Sequence, residues 1–180
     1  MKCLVTWLVI LAMWVGLSAE SHAHTLQEKP LTADEYCMAV NIYYEARFEP
    51  NDGMYGVGFV TMNRALHRHQ NVCHVVFAYR QFSWVLKMNA LDEHGHLKQG
   101  FRPRERNPQW IVCKTVARDV LRHPSYDFTH GAEFFVANYI YPRCLMHSCR
   151  WSRDMIYVGQ YGAHLFFATQ AAYRRQSWKQ

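Results

Sequence analysis

The stretch Asn41-Ile42-Tyr43-Tyr44-Glu45-Ala46-Arg47-Phe48-Glu49-Pro50 combines two carboxylates with several aromatic rings. It continues a series of apolar residues spaced three and four apart, which predicts a helix from about Ala33 to Phe48. Thr32 and Glu35 have the spacing of a capping box, which favours a helix start at this point. Pro50-Asn51-Asp52-Gly53 has turn chemistry, and we expect it to end the helix.

Glu45 and Glu49 lie four residues apart and therefore share one face of the predicted helix. Tyr43, Tyr44 and Phe48 surround them, so at least one carboxylate is expected to be partly desolvated. Desolvation and a neighbouring negative charge both raise the pKa of a carboxyl group. A carboxylic acid that stays protonated near neutral pH can protonate the leaving oxygen in glycosidic cleavage. The competing interpretation is an ordinary solvated glutamate on an amphipathic helix.

Beyond this stretch, the chain predicts further helices and then strands. Apolar spacing indicates a helix from about Met54 to His67, and Asn107-Pro108 is a typical start for another helix that His123-Pro124 ends. The polar residues 87–106 between them predict a long surface loop. The predicted strands are Ala132–Val136, Met155–Val158 and Ala163–Phe167, with a turn at Gly159–Gly162. The pattern predicts an α+β fold with a helical first half and a small antiparallel β segment near the C-terminus.

The first 23 residues differ in character from the rest. Lys2 precedes an apolar run from Leu4 to Leu17, and Ser21-His22-Ala23 is a plausible cleavage site. The run is shorter than the ~20 residues that span a bilayer, which favours a signal peptide over residues 1–23. An uncleaved membrane anchor is the alternative. We therefore expect export, and a single domain over residues 24–180.

The net charge and the cysteine residues indicate the kind of binding partner and the redox state of the cellular compartment. The formal net charge is +6, which suits an anionic polymer such as a cell wall, or a membrane surface. A nucleic-acid partner is not expected, because there is no recognition-helix pattern and no clustered basic run. Beyond the leader, five cysteines remain, at positions 37, 73, 113, 144 and 149. Cys144 and Cys149 are close enough to close a small loop, and the odd number leaves at least one cysteine outside intramolecular pairs.

Several blocks, in one order along the chain, resemble the SleB-like cell-wall hydrolases, a family that includes spore-cortex-lytic enzymes and some phage endolysins. Residues 42–50 are similar to the family signature IYxEARxEP. The other similar blocks are Gly53–Arg64, Val72–Val76, Gln81–Trp84, Gly131-Ala132 and Gly162–Phe167. The resemblance as a whole covers about Thr32 to Phe167.

This resemblance implies a lysozyme-related catalytic domain that acts on peptidoglycan, and we expect it to act as a monomer. It also implies that Glu45 is the catalytic acid, and then base, at the bond between N-acetylmuramic acid and N-acetylglucosamine. Several members of the family are lytic transglycosylases, in which the muramic C6 hydroxyl replaces water as the nucleophile. That route needs one carboxylate and no cofactor.

The supporting or substrate-binding candidates are Glu49, Asn63, Arg64, Gln81, Ser83, Trp84 and His164. Each has a structural alternative. Glu49 and Asn63 are equally compatible with bonds at helix ends, Trp84 with a place in the core, and His164 with a buried structural histidine. No metal site is predicted, because the pairs His67-x-His69 and His94-Gly-His96 lack the HExxH pattern of zinc hydrolases.

Some positions depart from the family pattern. They are Phe48 in place of Gly, Arg80 in place of Cys, and Phe134 and Val136 in place of His. The cysteine absent from position 80 leaves Cys73 without its usual partner, and Cys37 is a possible substitute. Two other functions stay open from the sequence. One is a non-catalytic wall-binding module on the same scaffold, and the other is an amidase or peptidase that acts on the stem peptide.

Overall fold

The computed structural model describes residues 29–146 and 148–177, so the predicted signal peptide lies outside the described residues. The helices are α1 (Ala33–Ala46), α2 (Asn51–Arg68), α3 (Val72–Phe77), α4 (Ser83–Lys87), α5 (Pro108–Arg122), α6 (Tyr141–Cys144) and α7 (Gln170–Ser177). The strands are β1 (Phe134–Ala137), β2 (Ile156–Tyr161) and β3 (His164–Ala168). Short 3-10 turns occur at Gln99–Phe101, Pro124–Tyr126 and Arg150–Asp154. Within the described part of the chain, no helix has the length and apolar character of a bilayer-spanning segment.

Helix α1 is the centre of the helical layer and packs against α2, α3 and α5. It begins with the predicted capping box, since the Thr32 hydroxyl accepts from the Glu35 amide and the Glu35 carboxylate accepts from the Thr32 amide. Val40 and Ile42 point to different sides of α1 and are both fully buried, as expected of a helix with neighbours on several sides. The predicted start of α5 is also confirmed, with Asn107 as N-cap and Pro108 in the first turn.

A buried polar network fixes α1 against α2 and α4. The Asn41 amide donates to Thr61 Oγ1 at 3.0 Å, and the Trp84 indole donates to Asn41 Oδ1 at 2.9 Å. Thr61 in turn donates to the carbonyl of Val57 at 2.8 Å. Because every member of the network has a partner, these polar groups fix the orientation of α1 relative to α2 and α4 within an otherwise apolar core.

The three strands form an antiparallel sheet in the order β1-β3-β2. On one face, Phe135 and Phe166 pack toward α2, where Gly56 gives the Phe166 ring the space that a side chain would occupy. On the other face, Trp151 contacts Phe134 and Phe167. The predicted α+β class, with its helical first half and small antiparallel sheet near the C-terminus, is confirmed.

Three predicted boundaries are wrong. Helix α1 ends at Ala46 rather than Phe48, and α2 begins at Asn51, so residues 50–53 do not form the predicted turn. Pro50 adopts an extended conformation that suits an N-cap, and Asp52 in the first turn of α2 complements the helix dipole. Strand β2 continues through Tyr161, so the hairpin reverses at Gly162 and the residue after it, later than predicted.

Two disulfide bonds form among the described cysteines. Cys37–Cys73 links α1 to α3, and Cys144–Cys149 closes a short loop. Cys113 is buried in α5 as a free thiol. Cys37, the substitute partner considered from the sequence, is thus the residue that pairs with Cys73.

Candidate active site

The carboxyl group of Glu45 faces a cavity of about 370 Å³ near the C-terminal end of α1. The cavity is lined by Glu45, Arg64, Arg80, Gln81, Phe82, Ser83, Leu86 and Phe135. These residues come from α1, α2, the turn before α4, α4 itself and β1, so the packing of the sheet on the helices creates the cavity. We call it the Glu45 cavity.

Glu45 is partly buried, and burial raises the pKa of its carboxyl group from 4.5 to about 7. The positive charges of Arg64 and Lys87 oppose this increase in pKa. In the described part of the chain, the Glu45 carboxyl group makes no hydrogen bond or ion pair with a protein group. Near neutral pH it is therefore present in both protonation states and faces the cavity, which is the arrangement of a general acid and base.

Arg64 is held rigidly beside this carboxyl group. Its Nε donates to the Glu133 carbonyl at 2.6 Å, and one terminal nitrogen donates to the Gln81 carbonyl at 3.2 Å. The guanidinium lies 4.8 Å from the centre of the Phe82 ring. Burial lowers the pKa of Arg64 to about 10, so the side chain stays cationic at neutral pH. Arg64 thus joins α2 to both walls of the cavity and places a fixed positive charge near Glu45.

Two of the predicted site residues, Gln81 and Ser83, line the Glu45 cavity with Arg64. Ser83 is exposed at the start of α4, and Gln81 is partly buried. Both side chains carry donors and acceptors of the kind that bind sugar hydroxyls. The structure therefore brings Glu45, Arg64, Gln81 and Ser83 to one place.

Trp84 does not lie on the surface of the cavity. It is 5% exposed, stacks on Tyr44 at 4.4 Å and donates its indole hydrogen to Asn41. The predicted place of Trp84 in the core is therefore confirmed, and sugar stacking is excluded because its hydrogen-bond donor and one ring face are used inside the core. Trp84 therefore stabilises the position of α1 through its contacts with Asn41 and Tyr44.

Glu49 does not share a helix face with Glu45, because α1 ends before it. Its carboxylate instead accepts a hydrogen bond from the Ala163 amide at 2.7 Å, and the close approach of Gly162 leaves no room there for a side chain. Glu49 therefore attaches the β2–β3 hairpin to the α1–α2 junction. The predicted effect of its charge on the pKa of Glu45 is also wrong, since that shift comes from burial.

Asn63 lies inside α2, so it does not cap a helix. Its side chain is also not among those that line the Glu45 cavity. Its amide donates to Asp127 Oδ2 at 2.9 Å and to the Ala132 carbonyl at 3.0 Å. These bonds hold the loop that leads into β1. The predicted contact with Glu45 or with sugar is therefore replaced by a structural role.

His164 is buried in β3, edge-to-face with Phe135 at 5.0 Å. Burial lowers the pKa of its imidazole, and the charge of Glu49 opposes this effect. Within the described residues its Nδ1 is buried without a hydrogen-bond partner, so the predicted alternative of a fully satisfied histidine is wrong. His164 lies behind the Phe135 wall of the cavity rather than in it.

Sequence reasoning did not predict several residues that line the cavity or act on it. These are Arg80, Leu86, Phe135 and the nearby Lys87. Arg80 had a sequence signal, as the residue that replaces a family cysteine, but the others are ordinary members of helix and strand patterns. In the described ranges, no group of three or more His, Cys, Asp and Glu side chains is placed to hold a metal ion.

Two solved bacterial protein structures are similar to this fold. One is the catalytic domain of the germination-specific lytic transglycosylase SleB from Bacillus anthracis, with a TM-score of 0.54 and 23% identity, over 78% of this chain and 98% of that one. Another is the catalytic domain of the Bacillus cereus SleB protein, with a TM-score of 0.52 and 21% identity, over 78% of this chain and 94% of that one. These likenesses establish the fold.

The sequence profile of the cell wall hydrolase family matches residues 48–167, and the chain belongs to that family. The predicted resemblance to SleB-like hydrolases is confirmed, and the protein is a cell-wall hydrolase with peptidoglycan as its substrate. Glu45 lies just before the matched range, so its role rests on the geometry described above. No curated protein sequence matches the chain significantly.

Proposed function

We propose that the protein cleaves the glycan strands of peptidoglycan between N-acetylmuramic acid and N-acetylglucosamine, with Glu45 as general acid and then general base. One observation carries the proposal. A carboxyl group with a pKa of about 7 faces a cavity, without a protein partner in the described residues, in a member of a cell wall hydrolase family. At neutral pH a large fraction of such a group is protonated and can give its proton to a substrate oxygen.

The proposed reaction begins with protonated Glu45. The acid gives its proton to the bridging oxygen as the bond from that oxygen to muramic C1 breaks, and positive charge develops on the sugar. Ionised Glu45 then takes a proton from the muramic C6 hydroxyl while that oxygen bonds to C1. The products are a 1,6-anhydromuramic end and a free N-acetylglucosamine hydroxyl, and Glu45 regains its proton.

We favour this lytic transglycosylase route over hydrolysis by water. Glu45 supplies the carboxyl group among the residues that line the cavity, and an intramolecular hydroxyl needs no second carboxylate to activate it. The related fold of a lytic transglycosylase adds support. Arg64 has the role of limiting the pKa of Glu45 through its charge, while Gln81 and Ser83 offer hydrogen bonds to sugar groups.

The decisive variant is Glu45→Gln, assayed by clearing of purified sacculi. We expect clearing to fall by at least about 100-fold, because proton transfer contributes about 10²–10⁴-fold in such reactions. Glu49→Gln is the matched control, since glutamine can still accept the hydrogen bond from Ala163. Clearing by Glu45→Gln at the parental rate would show that another group carries the reaction, and binding of sacculi without products by the parent protein would indicate a wall-binding module.

Mass spectrometry of the released fragments separates the two chemistries. A lytic transglycosylase leaves 1,6-anhydromuramic ends, whereas a muramidase leaves reducing ends that carry an added water. Fragments with reducing ends only would retain Glu45 as the acid but would contradict the intramolecular route. Released stem peptides with intact glycan strands would contradict both routes and favour an amidase.

We further propose that residues 1–23 direct export, that residues 24–180 form the catalytic domain, and that this domain acts as a monomer. The substrate of the family lies outside the cytoplasm, which agrees with export. N-terminal sequencing of the protein recovered from the cell envelope is expected to give His24 as the first residue. A protein that starts at Met1 and stays in the membrane fraction would instead indicate an anchor.

A further inference from the structure

A second cavity, of about 480 Å³, lies beside the N-terminal half of α2, whereas the candidate active site lies beside its C-terminal half. It is lined by Tyr55, Phe59, Asp119, His123, Tyr126 and Phe128. Tyr55 and Arg64 are nine residues apart on α2, which is two and a half helical turns, so they point to opposite sides of the helix. This aromatic cavity is therefore separate from the Glu45 cavity.

Aromatic rings form both the floor and the rim of the aromatic cavity. Phe59 is 2% exposed and makes an edge-to-face contact with Phe128 at 5.5 Å, so the floor is rigid. At the rim, Tyr126 is 71% exposed and stacks on His123 at 5.3 Å. A tyrosine that is this exposed, yet is fixed by stacking, offers a ready surface to a ligand.

Asp119 places a carboxylate among these rings. The Tyr55 hydroxyl donates to Asp119 Oδ2 at 2.8 Å, and in the described residues this is the only side chain that donates a hydrogen bond to the carboxylate. Burial and the bond to Asp119 raise the pKa of Tyr55 to about 12, so the hydroxyl keeps its proton and orients the carboxylate at any physiological pH. The neighbouring Arg118 and Arg122 extend toward Glu35, at 4.0 and 3.8 Å.

A carboxylate among aromatic faces selects a cation. The faces of aromatic rings carry negative potential and attract ammonium groups, and a carboxylate accepts N–H bonds from them. The chain has a net charge of +6, which suits an anionic wall polymer. This negatively charged site therefore favours a different ligand, one that carries a positive charge. We propose that the aromatic cavity binds an organic ammonium group on an aliphatic chain, with Asp119 accepting its N–H bonds and Tyr126 packing on its methylene groups.

The test is a titration of the purified protein with n-butylammonium chloride, followed by amide chemical shifts at constant ionic strength. We expect saturable binding in the millimolar range, and binding of the neutral analogue n-pentanol that is weaker by about tenfold or more. Asp119→Asn is expected to weaken n-butylammonium binding by the same factor, although Tyr55 can still donate its hydrogen bond to the asparagine oxygen. Tyr126→Ala, at an exposed position, is expected to weaken binding several-fold.

Asp154→Asn is the matched control, because Asp154 is exposed and far along the chain from the cavity, and it is expected to bind as the parent does. Equal affinity for n-pentanol and n-butylammonium would overturn the proposal, since it would mean an apolar groove without charge selectivity. Unchanged n-butylammonium binding by Asp119→Asn would also overturn it. Both titrations are independent of glycan cleavage, so they stand even if Glu45→Gln retains activity.

The ammonium group has two possible sources, a free amine or an amino group on the peptides of the wall. Binding of the inactive Glu45→Gln protein to sacculi before and after N-acetylation distinguishes them. A loss on acetylation that disappears in Glu45→Gln/Asp119→Asn assigns the ligand to the wall. Equal binding to both kinds of sacculi, together with Asp119-dependent n-butylammonium binding, supports the same site for a free amine.

Discussion

Replacing Glu45 with glutamine should make the protein more stable at alkaline pH, as well as inactive. Burial raises the pKa of Glu45 from 4.5 to about 7, so the folded protein binds a proton more tightly than the unfolded chain does. The stability associated with this proton is fully present below about pH 4.5 and is lost as the pH rises through about 7. Glutamine cannot ionise and therefore avoids the loss.

The magnitude follows from the change in pKa. A tenfold change in an ionisation equilibrium corresponds to about 1.4 kcal/mol, so the ionised carboxylate costs about 3 kcal/mol of folded-state stability above neutral pH. In a domain of this size, about 3 kcal/mol corresponds to about 6–12 °C in Tm. The expected gain of Glu45→Gln is therefore large at about pH 8 and close to zero at about pH 4.

Urea unfolding of the parent and the variant at both pH values measures this difference directly. Glu93→Gln is the matched control, because the Glu93 side chain is 86% exposed and its replacement is expected to change stability equally at both pH values. An equal effect of Glu45→Gln on the free energy of unfolding at acid and alkaline pH would refute the reasoning. It would mean that burial does not hold the carboxyl group in its protonated form.

Two further changes test the surroundings of the site. Lys87→Gln removes a positive charge that lowers the pKa of Glu45, so the alkaline limb of the pH–activity profile should move upward by about a few tenths of a pH unit. Gly162→Ala places a methyl group against the Glu49 carboxylate at a positive φ of 57°, and it should destabilise the fold by about 1–3 kcal/mol in thermal unfolding.

Each of these variants has a control. Arg106→Gln removes an exposed positive charge that does not act on Glu45, so its pH–activity profile should match that of the parent. Gly100→Ala adds a methyl group where no atom lies within 4 Å, and it should leave the unfolding temperature nearly unchanged. A pH profile that is identical for the parent and Lys87→Gln would disprove the electrostatic account. A Gly162→Ala protein as stable as the parent would disprove the tight packing of the hairpin.

Local signals in the sequence predicted the elements well where a few neighbouring residues control them. The capping box at Thr32 and the Asn107-Pro108 pair act through hydrogen bonds within a single helical turn, so both helix starts are correct. The α1 end was less predictable, because Pro50 fits either a turn or the start of a new helix. Only the packing of α2 against α1 decides between these two outcomes.

The residues of the candidate site likewise divide into those that local sequence patterns predict and those that depend on contacts with distant parts of the chain. Glu45, Arg64, Gln81 and Ser83 are predicted from sequence blocks and come together in the structure. The core position of Trp84 depends on its hydrogen bond to Asn41 in α1, which lies 43 positions away along the chain. Sequence proximity made Glu49 resemble a second carboxylate of the site, whereas its contact with Ala163 spans 114 positions.

The sequence alone predicted α1, α2, α5 and the three strands, the family, and the acidic residue proposed for catalysis, because each depends on short-range patterns. The tertiary structure decided which side chains surround Glu45, and it showed that burial rather than the charge of Glu49 raises its pKa. It also created the aromatic cavity from α2, α5 and the turn that follows. The physical reason is that burial and charge interactions are sums over neighbours in space, and most of these neighbours are distant along the chain.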